Sequence, residues 1–255
     1  MQRPDFTIRL PHDVRGLAQT EEYFILVQER NERRLRLHDY REIYNVPGLY
    51  DHLLSDLLQC TSPEVITRML SAEVGKVGVP IADLVALDLG AGTGLVGAAL
   101  QQRGIRRIVG IDILPEACEA AHRDRPGVYW RYYVEDMCNL TAQAHQELTA
   151  TRFNAMVCVS ALGLSHVPTA VFTQGYNLVA RDGWVAFNFK PASQSTRDVA
   201  DFPHFISRVI EAGLLDLQVS HSYRHRLAVD GSPVNYVAMV GRKRANIPPD
   251  FILQV

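Results

Sequence analysis

The chain has 255 residues, 47% apolar and 21% charged, and 26 basic against 28 acidic side chains leave a net charge of −2. That composition belongs to an ordinary folded globule and excludes a disordered chain. The near-neutral charge argues against a nucleic-acid binder that works by bulk attraction, and no run of about 18 uncharged apolar residues is present to cross a membrane.

The first sixteen residues alternate charges without an apolar stretch, which is unlike a secretory leader. Glu22–Val27 and Arg34–His38 are β-prone runs on either side of a polar segment and predict a hairpin. Within it Arg33, Arg34 and Arg36 alternate with Leu35 and Leu37, the pattern of a strand with one solvated face. A helix is expected over Gly48–Leu58. A second starts at Ser62-Pro63, with serine as N-cap and proline in the first turn.

From Leu84 onward the texture changes. Leu84–Leu89, Arg107–Asp112, Val128–Val134, Ala155–Ser160 and Trp184–Asn188 read as strands, with helices over Leu95–Arg103, Pro115–Arg123 and Thr169–Val179. This alternation predicts an α/β fold: a parallel sheet with helices on both faces. Leu217–Leu227 and Val234–Arg242 flank Asp230-Gly231, a hairpin signal, so an antiparallel ribbon should close the sheet. Tyr223-Arg224-His225-Arg226 on that ribbon reads as solvated strand. Residues 1–80 are expected to form an N-terminal cap and 81–255 the ligand-binding domain. Cys60, Cys118, Cys138 and Cys158 match no metal-binding spacing, so reduced thiols, no metal site and a cytoplasmic location are expected.

The chemistry concentrates at Asp88-Leu-Gly90-Ala91-Gly92-Thr-Gly94. Glycines directly after a strand let a ligand approach the backbone, and the following helix points free N–H groups at it. Two patterns overlap here. Gly92-x-Gly94-x-x-Gly97 fits a dinucleotide site, hence an NAD(P)-dependent oxidoreductase. Asp88, by contrast, would repel a pyrophosphate and suit a cationic ligand without phosphate, such as S-adenosylmethionine. Asp112 ends the second strand, where a carboxylate can accept from both hydroxyls of a ribose. Asp136 and Met137 at the third strand's end could meet an adenine amino group and ring.

These segments, followed by Phe153–Ser160 and Leu178–Trp184, resemble the successive motifs of class I S-adenosylmethionine-dependent methyltransferases over roughly residues 80–245. The resemblance implies a seven-stranded sheet with its last strand antiparallel. It places Gly90, Ala91, Gly92 and Gly94 at the methionine part, Asp112 with neighbouring Ile113 at the ribose, and Asp136 and Met137 at the adenine. Ser160 and Ala161 would line the path to the methyl group. The small-molecule members with an N-terminal cap are the nearest likeness. The segment after the fourth strand, Ser160–His166, lacks the Asn-Pro-Pro-Tyr-like stretch of enzymes that methylate adenine or glutamine. A small-molecule acceptor is therefore expected, at oxygen rather than nitrogen, with S-adenosylhomocysteine as product.

A hydroxyl acceptor must lose its proton, and histidine is the usual group to take it. His166, on the loop after the fourth strand, and His38, in the cap, are the candidates; Tyr44 and Tyr50 could close over the cofactor. A methyltransferase-like protein that binds the cofactor without methyl transfer is the remaining alternative.

Overall fold

The computed structural model describes residues 5–11, 14, 16–29, 31–162, 167–191 and 202–251. The cap begins with β1 (Phe6–Arg9), β2 (Tyr23–Gln28) and β3 (Asn31–Arg36), an antiparallel sheet in that order. The hairpin is as expected, and Arg33, Arg34 and Arg36 are exposed while Leu35 is buried. Strand β1 went unforeseen because four residues give too short an alternation to stand out. Short helices α1 (Tyr40–Tyr44) and α2 (Leu49–Asp51) follow, and α2 continues as one π-helical turn over His52–Leu57. Helix α3 (Ser62–Lys76) corrects the expected cap: Thr61 is the N-cap and Ser62 the first helical residue. The Ser62 hydroxyl does not bond its own helix end because distant groups on the main sheet claim it.

The second sheet contains β4 (Val85–Leu89), β5 (Arg107–Asp112), β6 (Arg131–Val134), β7 (Ala155–Leu162), β8 (Trp184–Phe189), β9 (Leu215–Leu227) and β10 (Pro233–Lys243), interleaved with α4 (Leu95–Gln102), α5 (Pro115–Asp124), α6 (Ala142–Thr151), α7 (Thr169–Leu178) and α8 (Phe202–Glu211). Its order is β6-β5-β4-β7-β8-β10-β9. The first five strands pair in parallel, and β10 runs antiparallel between β8 and β9. The expected seven-stranded sheet with its terminal strand reversed is therefore present.

The two faces of the sheet bury separate cores. Leu87, Met156 and Phe187 pack with Phe172 and Tyr176 of α7 and Phe205 and Val209 of α8 on one side. Ala86, Val157 and Ala186 pack with Ile66, Leu70 and Val74 of α3 and Leu100 of α4 on the other. A third core fills the cap, and Val229 from the β9–β10 turn enters it beside Phe24 and Leu26. Strand order reverses at β4, whose neighbours are β5 and β7, and open α/β sheets bind ligands at the carboxyl edge of such a point. Among the described residues no helix is long and apolar enough to cross a membrane.

Candidate active site

Chain leaving β4 turns through Gly90 and Gly92, both in the left-handed region (φ 72° and 52°). A Cβ on Gly90 would lie 3.1 Å from the Ala161 side chain, and one on Gly92 would lie 3.1 Å from the Tyr44 hydroxyl. Asp112 braces this turn. One of its carboxylate oxygens accepts from Gly92 N at 2.9 Å and the other from Leu114 N at 3.0 Å. It is half-buried, not at an exposed strand end as its position suggests, and burial raises its pKa against the opposing pull of those two donors.

The turn opens into a cavity of about 730 Å³ under the cap. Gly90, Ala91, Gly92, Asp112, Ile113, Asp136, Met137, Ser160, Ala161, Tyr44 and His38 all line it, so eleven of the sequence-derived candidates converge on one space. Asp136 accepts from Cys138 N and Asn139 Nδ2 at 2.9 and 2.8 Å, bonds that lower its pKa. Ser160 adopts a left-handed φ of 60°, a strained value for a residue with a side chain. Its N–H donates to Asn188 Oδ1 at 2.6 Å, and its buried hydroxyl has no protein partner among the described residues.

Two candidates stand elsewhere. Asp88 and Gly94 do not line the cavity. Asp88 lies beneath the turn, accepting a 2.7 Å hydrogen bond from the Tyr129 hydroxyl, and burial pushes its pKa up to about 7. Tyr129, packed against Gly97 of α4, holds one of the Asp88 carboxylate oxygens, and the other is buried. The same ring explains the third glycine of the dinucleotide-like pattern: a Cβ on Gly97 would come within 2.7 Å of Tyr129. His166 lies outside the described residues.

Residues 86–183 match the family model of a methyltransferase domain. A candidate RNA methyltransferase from Pyrococcus horikoshii superposes with a TM-score of 0.52 at 15% identity, covering 73% of this chain and 88% of that one. Magnesium protoporphyrin IX methyltransferase from Synechocystis PCC 6803, solved with bound S-adenosylhomocysteine, gives 0.50 at 15% identity, covering 71% and 82%. No curated protein matches the chain. The fold is that of the class I, Rossmann-like S-adenosylmethionine-dependent methyltransferases.

On this methyltransferase fold the cap forms the roof of the cavity. Tyr44 stacks on Tyr40 (ring centroids 5.6 Å apart) and meets Tyr50 edge-on at 5.1 Å. Burial raises the pKa of all three phenols, which stay neutral. The trio is fixed to the sheet domain from outside: Arg123 donates to Tyr44 O at 3.0 Å, and Arg125 bonds both Asp51 (2.5 Å) and Thr93 O (3.1 Å).

Sequence reasoning missed the far wall, which comprises Gln19, Cys60, His225, Arg226 and Tyr236. The expectation of a solvated strand over Tyr223–Arg226 fails at its second half: Arg224 is exposed, but His225 and Arg226 are only 4% and 3% exposed. The cap covers this end of the ribbon, with Leu227 N donating to Leu58 O at 2.7 Å and Thr61 N to His225 O at 2.9 Å. Arg226 forms a buried ion pair with Glu22 of the cap. The one available signal was Glu22 itself, a charge at the head of an apolar strand that needs a partner when buried.

Proposed function

We propose that this methyltransferase moves the methyl group of S-adenosylmethionine to a small or medium-sized acceptor, at oxygen rather than nitrogen. The observation that carries the proposal is the single cavity, about 730 Å³, running from the glycine turn and strand-end acids to an aromatic roof. That volume falls in the range of small-molecule sites, roughly 300–1,000 Å³. The residues present fit the cofactor. Gly90 and Gly92 leave a cradle that a Cβ would crowd, and the buried hydroxyls of Ser160 and Thr93, both lining the cavity, lack partners among the described residues. Asp112 retains lone pairs for a ribose, Ile113 is exposed beside it, and Asp136 and Met137 suit an adenine. Bound there, the cofactor supplies an electrophilic methyl group. The chain has to hold the acceptor in line, exclude water and accept a proton.

The tyrosine roof serves the exclusion of water, since its phenols remain neutral. His38 lines the cavity within 5.8 Å of the Tyr40 ring, and it and His166 are the proposed proton acceptors. The cap of residues 1–80 and the sheet domain of 81–255 are proposed as the functional units. Four free thiols among the described residues support a reducing, cytoplasmic setting. The NAD(P)-dependent reading is opposed by the match of residues 86–183 to a methyltransferase-domain model.

Thermal denaturation tests the cofactor. S-adenosylhomocysteine at 100 times its dissociation constant should stabilise the fold by about 2.7 kcal/mol. A shift with NAD or NADP and none with S-adenosylhomocysteine would overturn the proposal. Release of S-adenosylhomocysteine against a metabolite panel then separates an enzyme from a protein that only binds the cofactor.

A further inference from the structure

His225 lies on the cavity wall, remote in sequence from every motif of the fold, and its ring stacks on Tyr236 with centroids 4.2 Å apart. Its Nδ1 is 2.6 Å from the Ser62 hydroxyl. Ser62 is also 2.6 Å from the Tyr223 hydroxyl, and Asn188 Nδ2 bonds both, at 3.1 Å to Ser62 and 2.7 Å to Tyr223. The other ring nitrogen, Nε2, has no protein partner among the described residues.

Hydrogen atoms in this cluster can be counted. Ser160 N–H can only donate, so the Asn188 oxygen faces it and the Asn188 amide hydrogens face the two hydroxyls. Each hydroxyl thus accepts one bond from Asn188. If Ser62 donates to Nδ1, Tyr223 donates to Ser62 and every hydrogen has an acceptor. If instead Nδ1 carries the hydrogen, Ser62 must donate to Tyr223, and the proton of the half-buried Tyr223 hydroxyl is left without an acceptor among the described residues. Leaving that donor unpaired disfavours the second arrangement. The thiol of Cys60, 3.8 Å from Nδ1, is a further weak donor on the same side.

We infer that His225 is held as the Nε2–H tautomer and presents a hydrogen-bond donor, not a base, to an uncharged oxygen of the methyl acceptor. Burial lowers the imidazole pKa to about 3, so it offers one neutral N–H and no cation. The charge balance of the wall specifies the substrate further. Arg226 is the one arginine or lysine among the described lining residues, beside the imidazoles of His38 and His225, and Glu22 neutralises it, with a second guanidinium bond to Leu227 O at 2.8 Å. A carboxylate or phosphate at this wall would lose its hydration and gain no arginine or lysine counter-ion, since the one guanidinium is already paired. Tyr40, Tyr50, Tyr236 and Leu54 line the rest with flat or apolar surface. The acceptor is thereby a neutral, ring-bearing compound with a carbonyl or ether oxygen for His225, and the hydroxyl that becomes methylated lies elsewhere on it. This assignment of substrate class rests on the methyltransferase reading above; the tautomer does not.

Nitrogen-15 NMR of histidine-labelled, full-length protein tests the tautomer directly, with the His225 ring assigned by its through-space contact to Tyr236. The expected result is an Nε2–H imidazole near neutral pH. An Nδ1–H tautomer or an imidazolium would overturn the inference. In the presence of S-adenosylhomocysteine, 4-hydroxyacetophenone should shift the Nε2 proton, whereas the matched anion 4-hydroxybenzoate should not. Equal shifts from both, or none from the ketone, would overturn the substrate class. Loss of S-adenosylhomocysteine binding, seen separately by thermal shift, would count against the methyltransferase reading and leave the tautomer result standing.

Discussion

Asp112 does two things at once, and a mutation will expose both. Its oxygens hold Gly92 N and Leu114 N, and the same group faces the cavity where a ribose is proposed. Asp112→Ala should weaken S-adenosylhomocysteine binding by about 1.5–3 kcal/mol, the range for hydrogen bonds to a charged group. It should also lower the melting temperature of the free protein, because two backbone donors lose their acceptor. Calorimetry that finds unchanged affinity in a folded variant would remove Asp112 from the binding surface. Tyr44 gives a contrasting case. Its hydroxyl sits 3.1 Å from where a Gly92 Cβ would be, so Gly92→Ala meets both that contact and a φ of 52°. Tyr44→Phe should leave the fold intact; Gly92→Ala should lower stability and abolish detectable cofactor binding by thermal shift.

At the level of elements, legibility follows sequence distance. Strands β4, β5, β7 and β8 announce themselves because burial on both faces requires apolar runs, and the site acid Asp112 sits at the end of one such run, whereas Asp136 follows the half-exposed β6. The far wall is hidden because its partners are remote: Gln19 donates to the Tyr236 hydroxyl across 217 positions, and Glu22 meets Arg226 across 204. A hairpin strand read by itself could only predict solvent on its polar face. The β9–β10 ribbon and the cap therefore stand or fall together. Removing one member of the Glu22–Arg226 pair leaves the other charge buried and unpaired, and Glu22 also accepts from Val229 N at 2.8 Å. Glu22→Ala should cost about 3–5 kcal/mol in chemical denaturation, whereas Glu22→Gln with Arg226→Met should recover part of the loss. Additive losses in the double variant would show that the pair does not couple cap to ribbon.

For the molecule as a whole, burying Asp88 under the glycine turn and His225 in the far wall gives two opposed dependences of stability on pH. Asp88 has its folded pKa raised to about 7 by burial, so its contribution is fully present below the ordinary carboxylate value of 3.8 and is lost as pH rises through 7. His225 has its folded pKa lowered to about 3 by burial and by the neighbouring Arg226 charge, so its contribution is full above 6.5 and is lost as pH falls toward 3. Between pH 4 and 6.5 the two partly cancel, and wild-type melting temperatures alone would conceal both. Difference curves separate them. Asp88→Asn keeps an acceptor for Tyr129 without a charge, so wild type minus variant should be most positive at acid pH and decline through 7. His225→Phe should give the reverse, a difference that grows as pH rises toward 6.5 and is flat above it. A flat Asp88 difference from pH 4 to 8 would mean that Asp88 stays ionised throughout, with Tyr129 and the Gly97 N–H able to hold a buried carboxylate between them.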